Sequence, residues 1–182
     1  MVGASGAVVL FDTATGDQVK SIKVPGGGGN FTCLPDGSKC YAGLRKDNSV
    51  GVIDMAKLEL MKVIKTGPNG NRLYLNPANT RYGIFTNESG KSETVSVIDT
   101  MKDVKVKDII TGLGPHNVAF NPEGTAAVVS TKKEDVATLI DTSSGDPSQW
   151  DVITTELDSG IQNNGVRWVP SPEALKKVLA SN

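Results

Sequence analysis

Short apolar, β-branched runs alternate with polar turns along this chain, and one run recurs. TVSVIDT at residues 94–100 has near-copies in AVVLFDT ending at Thr13, SVGVIDM ending at Met55 and DVATLIDT ending at Thr142. Runs this short and this rich in Val and Ile read as strands, and the Asp that stops each one suits a turn whose backbone N–H groups it accepts. The anchors Asp12, Asp54, Asp99 and Asp141 follow one another at intervals of 42, 45 and 42 residues. A strand-built repeat of that length predicts an all-β fold, a β-propeller of four-stranded antiparallel blades.

Placing the remaining apolar runs between the anchors predicts three complete blades and two half-blades, about four repeats. Residues 6–24 form a half-blade, GAVVLFDT and DQVKSIKV. Complete blades follow over 25–67, 68–112 and 113–157, and a second half-blade over 158–182. The tail reads in two ways, as a short helix opening at Pro172 or as two strands. Alignment of its end with PANTRYGIFTN favours strands, and it puts Val166 and Trp168 on one face. On this phase the chain starts with the third strand of a unit and stops after the second. KKVLASN then pairs beside GAVVLFDT in one composite blade. That blade closes a four-bladed monomer, is shared between two copies in a homodimer, or belongs to a larger propeller.

Composition narrows the class. With 38% hydrophobic and 21% charged residues, the 182-residue chain carries enough apolar side chain for one folded domain. A formal net charge of −1 gives no footing for a nucleic-acid partner. No apolar run is long enough for a spanning helix, so no membrane span is expected. The N-terminus lacks the basic and continuous apolar segments of a signal peptide.

Cys33 and Cys40 bracket the turn LPDGSK. If Leu34 and Lys39 close that turn, the two cysteines face one another across a hairpin at a separation a disulfide spans. The alternative is a pair of small buried thiols in a reducing compartment. Their spacing is neither a metal knuckle nor a redox pair.

Three successive units carry a likeness to a known repeat. GPHNVAFNPEGTAAVVST with DVATLIDT, GPNGNRLYLNPANTRYGIFTN with TVSVIDT, and GGNFTCLPDGSKCYAGL with SVGVIDM resemble the YVTN family of β-propeller repeats. Similar repeats occur in microbial surface-layer proteins, in lactonase-like enzymes and in the haem-bearing propeller of dissimilatory nitrite reductases. The resemblance implies a periplasmic or extracellular location.

Candidate chemistry is sparse. The single histidine, His116, stands in GLGPHNVAF, on the loop leading to an innermost strand beside the central channel. The corresponding loops are rich in Gly and Asn, which makes the channel mouth the natural pocket. Its candidate ligand-binding residues are Asn30, Asn71, Arg72, His116, Asn117, Asn164 and Arg167, set against the alternative that the amides merely satisfy turn backbones. PGGGGN lacks the spacing of a phosphate loop. The four anchor Asp residues fall on separate blades and read as turn caps. One histidine supplies no triad and no multi-histidine metal site, so no catalytic residue, metal or cofactor is expected. NFT at Asn30 and NES at Asn87 fit the glycosylation acceptor pattern. The first functional reading is a non-catalytic binding or assembly module that takes a protein or small-molecule ligand at the channel mouth. The alternatives are a lactonase-like hydrolase and a haem-bearing redox propeller.

Overall fold

In the computed structural model, residues 2–4, 6–158 and 166–167 are described, and they form four antiparallel sheets. The first contains β1 (Val2–Ala4), β2 (Ala7–Phe11) and β3 (Gln18–Lys23). The second contains β4 (Phe31–Cys33), β5 (Lys39–Leu44), β6 (Ser49–Asp54) and β7 (Glu59–Lys65). The third contains β8 (Gly70–Leu75), β9 (Tyr82–Asn87), β10 (Thr94–Asp99) and β11 (Val104–Ile110). The fourth contains β12 (Pro115–Phe120), β13 (Ala126–Thr131), β14 (Val136–Asp141) and β15 (Asp151–Asp158). Strands follow chain order within every sheet, the up-and-down meander of a propeller blade. Helix among the described residues is confined to single 3-10 turns at Arg45–Asp47 and Pro147–Gln149.

The first sheet has a strand that periodicity did not indicate. Gly6, at φ 73°, turns the chain so that Val2 pairs with Val9 and Ala4 with Ala7. β1 therefore occupies the edge of β2 where KKVLASN was expected. KKVLASN and Trp168 lie outside the described residues.

The recurring Asp residues cap turns. The Oδ1 of Asp54 accepts from the N–H of Ala56 and of Lys57, both at 2.9 Å, and that of Asp99 from Met101 at 2.9 Å and Lys102 at 3.0 Å. Asp12 does the same for Ala14 at 2.7 Å, and Asp141 for Ser143 at 2.8 Å. A short acceptor side chain at the end of a strand thus satisfies donors that the ladder has just released.

Apolar side chains on facing sheets collect at three successive junctions. Val8, Leu10 and Ile22 meet Ala42, Leu44 and Ile53 at the first. Tyr41, Val50 and Val52 meet Leu73, Phe85 and Ile98 at the second. Tyr82, Ile84, Val95 and Val97 meet Val118, Val129, Ile140 and Trp150 at the third. Period-2 alternation assigns these positions to the interfaces, and both faces of the middle sheets are covered, which explains their nearly continuous apolar runs. Packing is close enough that a Cβ on Gly43 of β5 would stand 2.1 Å from the carbonyl oxygen of Asn71 on β8.

The residue just before the fourth strand is inserted into the junction with the preceding sheet. At the first junction it is Leu58, packed on the apolar cluster. At the second it is Asp103, whose carboxylate takes Lys39 Nζ at 2.6 Å and the Tyr41 hydroxyl at 2.6 Å. At the third it is Trp150, edge-on to Tyr82 at 6.1 Å and to Phe120 at 6.3 Å, its indole N–H donating to Ser144 O at 2.9 Å. Leu58 and Asp103 end four-residue turns and are driven to φ 54° and 53°. The longer SSGDPSQ segment lets Trp150 reach its place at φ −62°.

Candidate functional site

The second strands of the three complete sheets end at Leu44, Asn87 and Thr131, so Arg45, Glu88 and Lys132 stand at equivalent positions, each the first residue beyond its strand and together one rim of the sheets. Their charges alternate, and Glu88 is the hub. Its side chain is only 8% exposed, its Oε2 takes Arg45 Nη2 at 3.2 Å, and its Oε1 takes Lys132 Nζ. His116 Nε2 lies 3.5 Å from the same Oε1. One carboxylate on the third sheet thereby ties to a cation from each flanking sheet.

The amides join this network. Asn71 is 1% exposed, and its Oδ1 accepts from Asn30 Nδ2 and from Arg45 Nη2, both at 2.6 Å. Asn117 Nδ2 is 3.0 Å from His116 Nδ1, and the Tyr74 hydroxyl donates to Asn117 Oδ1. Burial pushes the Tyr74 phenol up, and the Glu88 charge adds to this against the opposing pull of Arg72. His116 thus presents Nδ1 to the Asn117 amide and Nε2 to Glu88.

Below the rim, a cavity of about 330 Å³ runs along the innermost strands, lined by Thr32, Arg72, Tyr74, Leu75, Val118 and Phe120. Arg72 is exposed, and its guanidinium stands 5.3 Å from the Tyr74 ring centre. Among the described residues it has no carboxylate partner. An apolar, concave wall with one unneutralised guanidinium suits a small organic acid better than a cation.

Of the residues expected at the mouth, Asn30, Asn71, Arg72, His116 and Asn117 come together. Arg167 is exposed and outside this network, and Asn164 lies outside the described residues. Sequence reasoning missed Arg45, Glu88 and Lys132. The signal for them was present in the first residue after each second strand, which alternates in sign when the units are aligned. Cys33 and Cys40 pair directly across the β4–β5 hairpin, with Cα atoms 3.9 Å apart and sulfurs joined. Asn30 of NFT is exposed, whereas Asn87 of NES is fully buried, with Nδ2 donating to Thr94 O at 3.0 Å, and is inaccessible to a modifying enzyme.

The fold defines a chain of the β-propeller class. No family model matches it, and no curated protein matches it. Among solved structures it is similar to hydrazine synthase of Kuenenia stuttgartiensis, with a TM-score of 0.71 and 24% identity over 82% of this chain and 42% of that one. It is also similar to a putative 6-phosphogluconolactonase of Bacteroides fragilis, with a TM-score of 0.66 and 17% identity over 78% of this chain and 43% of that one. A third similar structure is the dihydro-heme d1 dehydrogenase NirN, with a TM-score of 0.65 and 17% identity over 83% of this chain and 34% of that one. The chain therefore spans less than half the length of each, and what is shared is the fold.

Proposed function

We propose that this chain is a non-catalytic binding and assembly module of the YVTN-repeat kind, part of an extracytoplasmic protein, whose channel mouth takes a small organic acid. The observation that carries this reading is the use made of the titratable groups. Glu88, Arg45, Lys132 and His116 face one another across the blade junctions, while Arg72 remains turned to the cavity. General acid–base chemistry wants a proton donor or acceptor within hydrogen-bond reach of substrate, and these groups serve the junctions instead. The Cys33–Cys40 bond supports an oxidising compartment. Closure through further blades, from a second copy or a longer chain, belongs to the same proposal. Light scattering reads it as a native mass above the 19.1 kDa of the single chain.

The test is a thermal-shift panel of small organic acids, with their amides as neutral controls, on the protein and on Arg72→Gln. Stabilisation by acids alone, lost in the variant, is the expected result. Hydrolysis of a sugar-acid lactone that disappears in His116→Ala would overturn the non-catalytic reading.

A further inference from the structure

The outermost strands β3, β7, β11 and β15 each leave one backbone edge unpaired among the described residues. Open edges invite another strand, and lysine on the edge discourages it. Register identifies two such guard positions. The first holds Lys23 opposite Ala7, Lys65 opposite Ser49, and then Ile110 opposite Thr94. The second holds Lys20 opposite Leu10, Lys62 opposite Val52 and Lys107 opposite Val97, and then Thr154 opposite Leu139. Lysine is thus missing from the first position on β11 and from both on β15, where Asp158, opposite Val136, and Thr154 stand instead. The lysine that remains at the second position on β11, Lys107, is taken up by the carbonyls of Trp150 at 2.8 Å and Ser148 at 3.2 Å.

At this place a groove of about 410 Å³ lies between β11 and β15, lined by Ile109, Ile110, Val152 and Thr155 with Lys107, Asp108 and Asp151. Ile110 is 68% exposed, and Ile153 beside the groove is 59% exposed. The carboxylate of Asp108 is occupied by Lys105 Nζ and the Ser96 hydroxyl, both at 2.6 Å. Asp151 and Glu156 are exposed and enter no ion pair among the described residues. The groove here is largely apolar, with Lys107 held by backbone carbonyls and the carboxylates of Asp151 and Glu156 left outside any described ion pair, while β3 and β7 each carry lysine at both positions.

We propose that the groove between β11 and β15 docks an extended segment of a partner protein in which apolar residues alternate with lysine or arginine. The segment adds to the open edge of β15, its apolar side chains on the half-buried face of Val152 and its cations on the exposed face with Asp151 and Glu156. Backbone pairing supplies affinity in this mode, and alternate side chains supply selectivity.

The probe is a fluorescent peptide alternating valine and lysine over the length of β15, titrated at low salt and read by anisotropy. Saturable binding is expected, at least about tenfold tighter than for the valine–glutamate peptide and weakened by added salt. Ile110→Lys, which restores the guard, and Asp151→Lys with Glu156→Lys should each weaken binding by about tenfold or more. Met61→Lys on β7, with its fold checked alongside the others by circular dichroism, should leave it unchanged. Equal binding of the acidic peptide, undiminished binding by both β15-groove variants, or no saturation up to about 1 mM would overturn the proposal.

Discussion

Lys39 of the second sheet and Asp103 of the third close an ion pair at 2.6 Å inside the second junction, with the Asp103 side chain 7% exposed. The equivalent pair in the third junction is Tyr82 with Trp150, rings 6.1 Å apart. The same two backbone positions therefore hold a charged pair at one junction and an aromatic pair at the next. A carboxylate set against Tyr82, or an indole set against Lys39, would be left without its partner, so these pairs favour the correct order of sheets.

Asp103→Leu leaves Lys39 without its counter-charge and takes the nearer of two acceptors from the Tyr41 hydroxyl, with only Thr100 O remaining to both, and should cost on the order of 3 kcal/mol in urea unfolding. Adding Lys39→Met should recover most of that loss, because a well-packed apolar pair replaces a half-removed ionic one. A double variant as unstable as the sum of the two single variants would show that the pair is not coupled.

Stability should fall in acid, and Asp99 is a main cause. Burial works to raise its carboxyl pKa, but the Arg81 guanidinium at 3.0 Å and the N–H groups of Lys102 and Met101 outweigh that and hold it below the usual carboxylate value. The folded pKa is depressed, so the contribution is fully present above the unfolded value of about 3.9 and is lost as pH falls through the folded one. Asp36, Asp141 and Asp146 are lowered by bonds from Ser38, Ser143 and Ser148 and act in the same direction. Melting temperatures recorded from about pH 6 down to about pH 3 should drop steeply at the acid end. In Arg81→Gln the protein should be less stable at pH 6 and its acid decline shallower. A variant with an unchanged acid profile would remove Asp99 from the account.

Thr138 is fully buried on β14 and its hydroxyl has no hydrogen-bond partner among the described residues. It lies opposite Val129 in the third junction. Thr138→Val keeps the shape and deletes an unsatisfied polar atom, so the variant should be more stable by about 1 kcal/mol. Calorimetry should show a rise of roughly 2–4 °C in Tm. A fall would mean that the hydroxyl is satisfied in solution.

The Cys33–Cys40 bond spans a sequence separation of 7 residues. Loop-closure entropy for so short a ring is worth about 2.5 kcal/mol. The unreduced, denatured protein should titrate with no free thiol, and the double alanine variant should lose about that much stability. Two free thiols would remove both the bond and the support it gives to an oxidising compartment.

The repeat was legible in the chain because its determinants are local. A β-branched run stopped by an Asp specifies a strand and its following turn without reference to anything distant, and four such runs at near-constant spacing define the class. The contribution of β1 was not legible, because three residues carry no period, and their pairing depends on Gly6 turning the chain back onto β2. At the mouth, Asn30, Asn71 and Asn117 stood out as loop amides, and His116 stood out as the single histidine. Glu88 did not, since one acidic residue among 20 is unremarked until tertiary packing brings Arg45 and Lys132 against it from two other sheets. Likewise nothing in the letters separates Leu58, Asp103 and Trp150 from ordinary turn residues. Only the stacking of one sheet on the next turns that single backbone position into the plug of each junction, because what it contacts lies a whole repeat away in the chain.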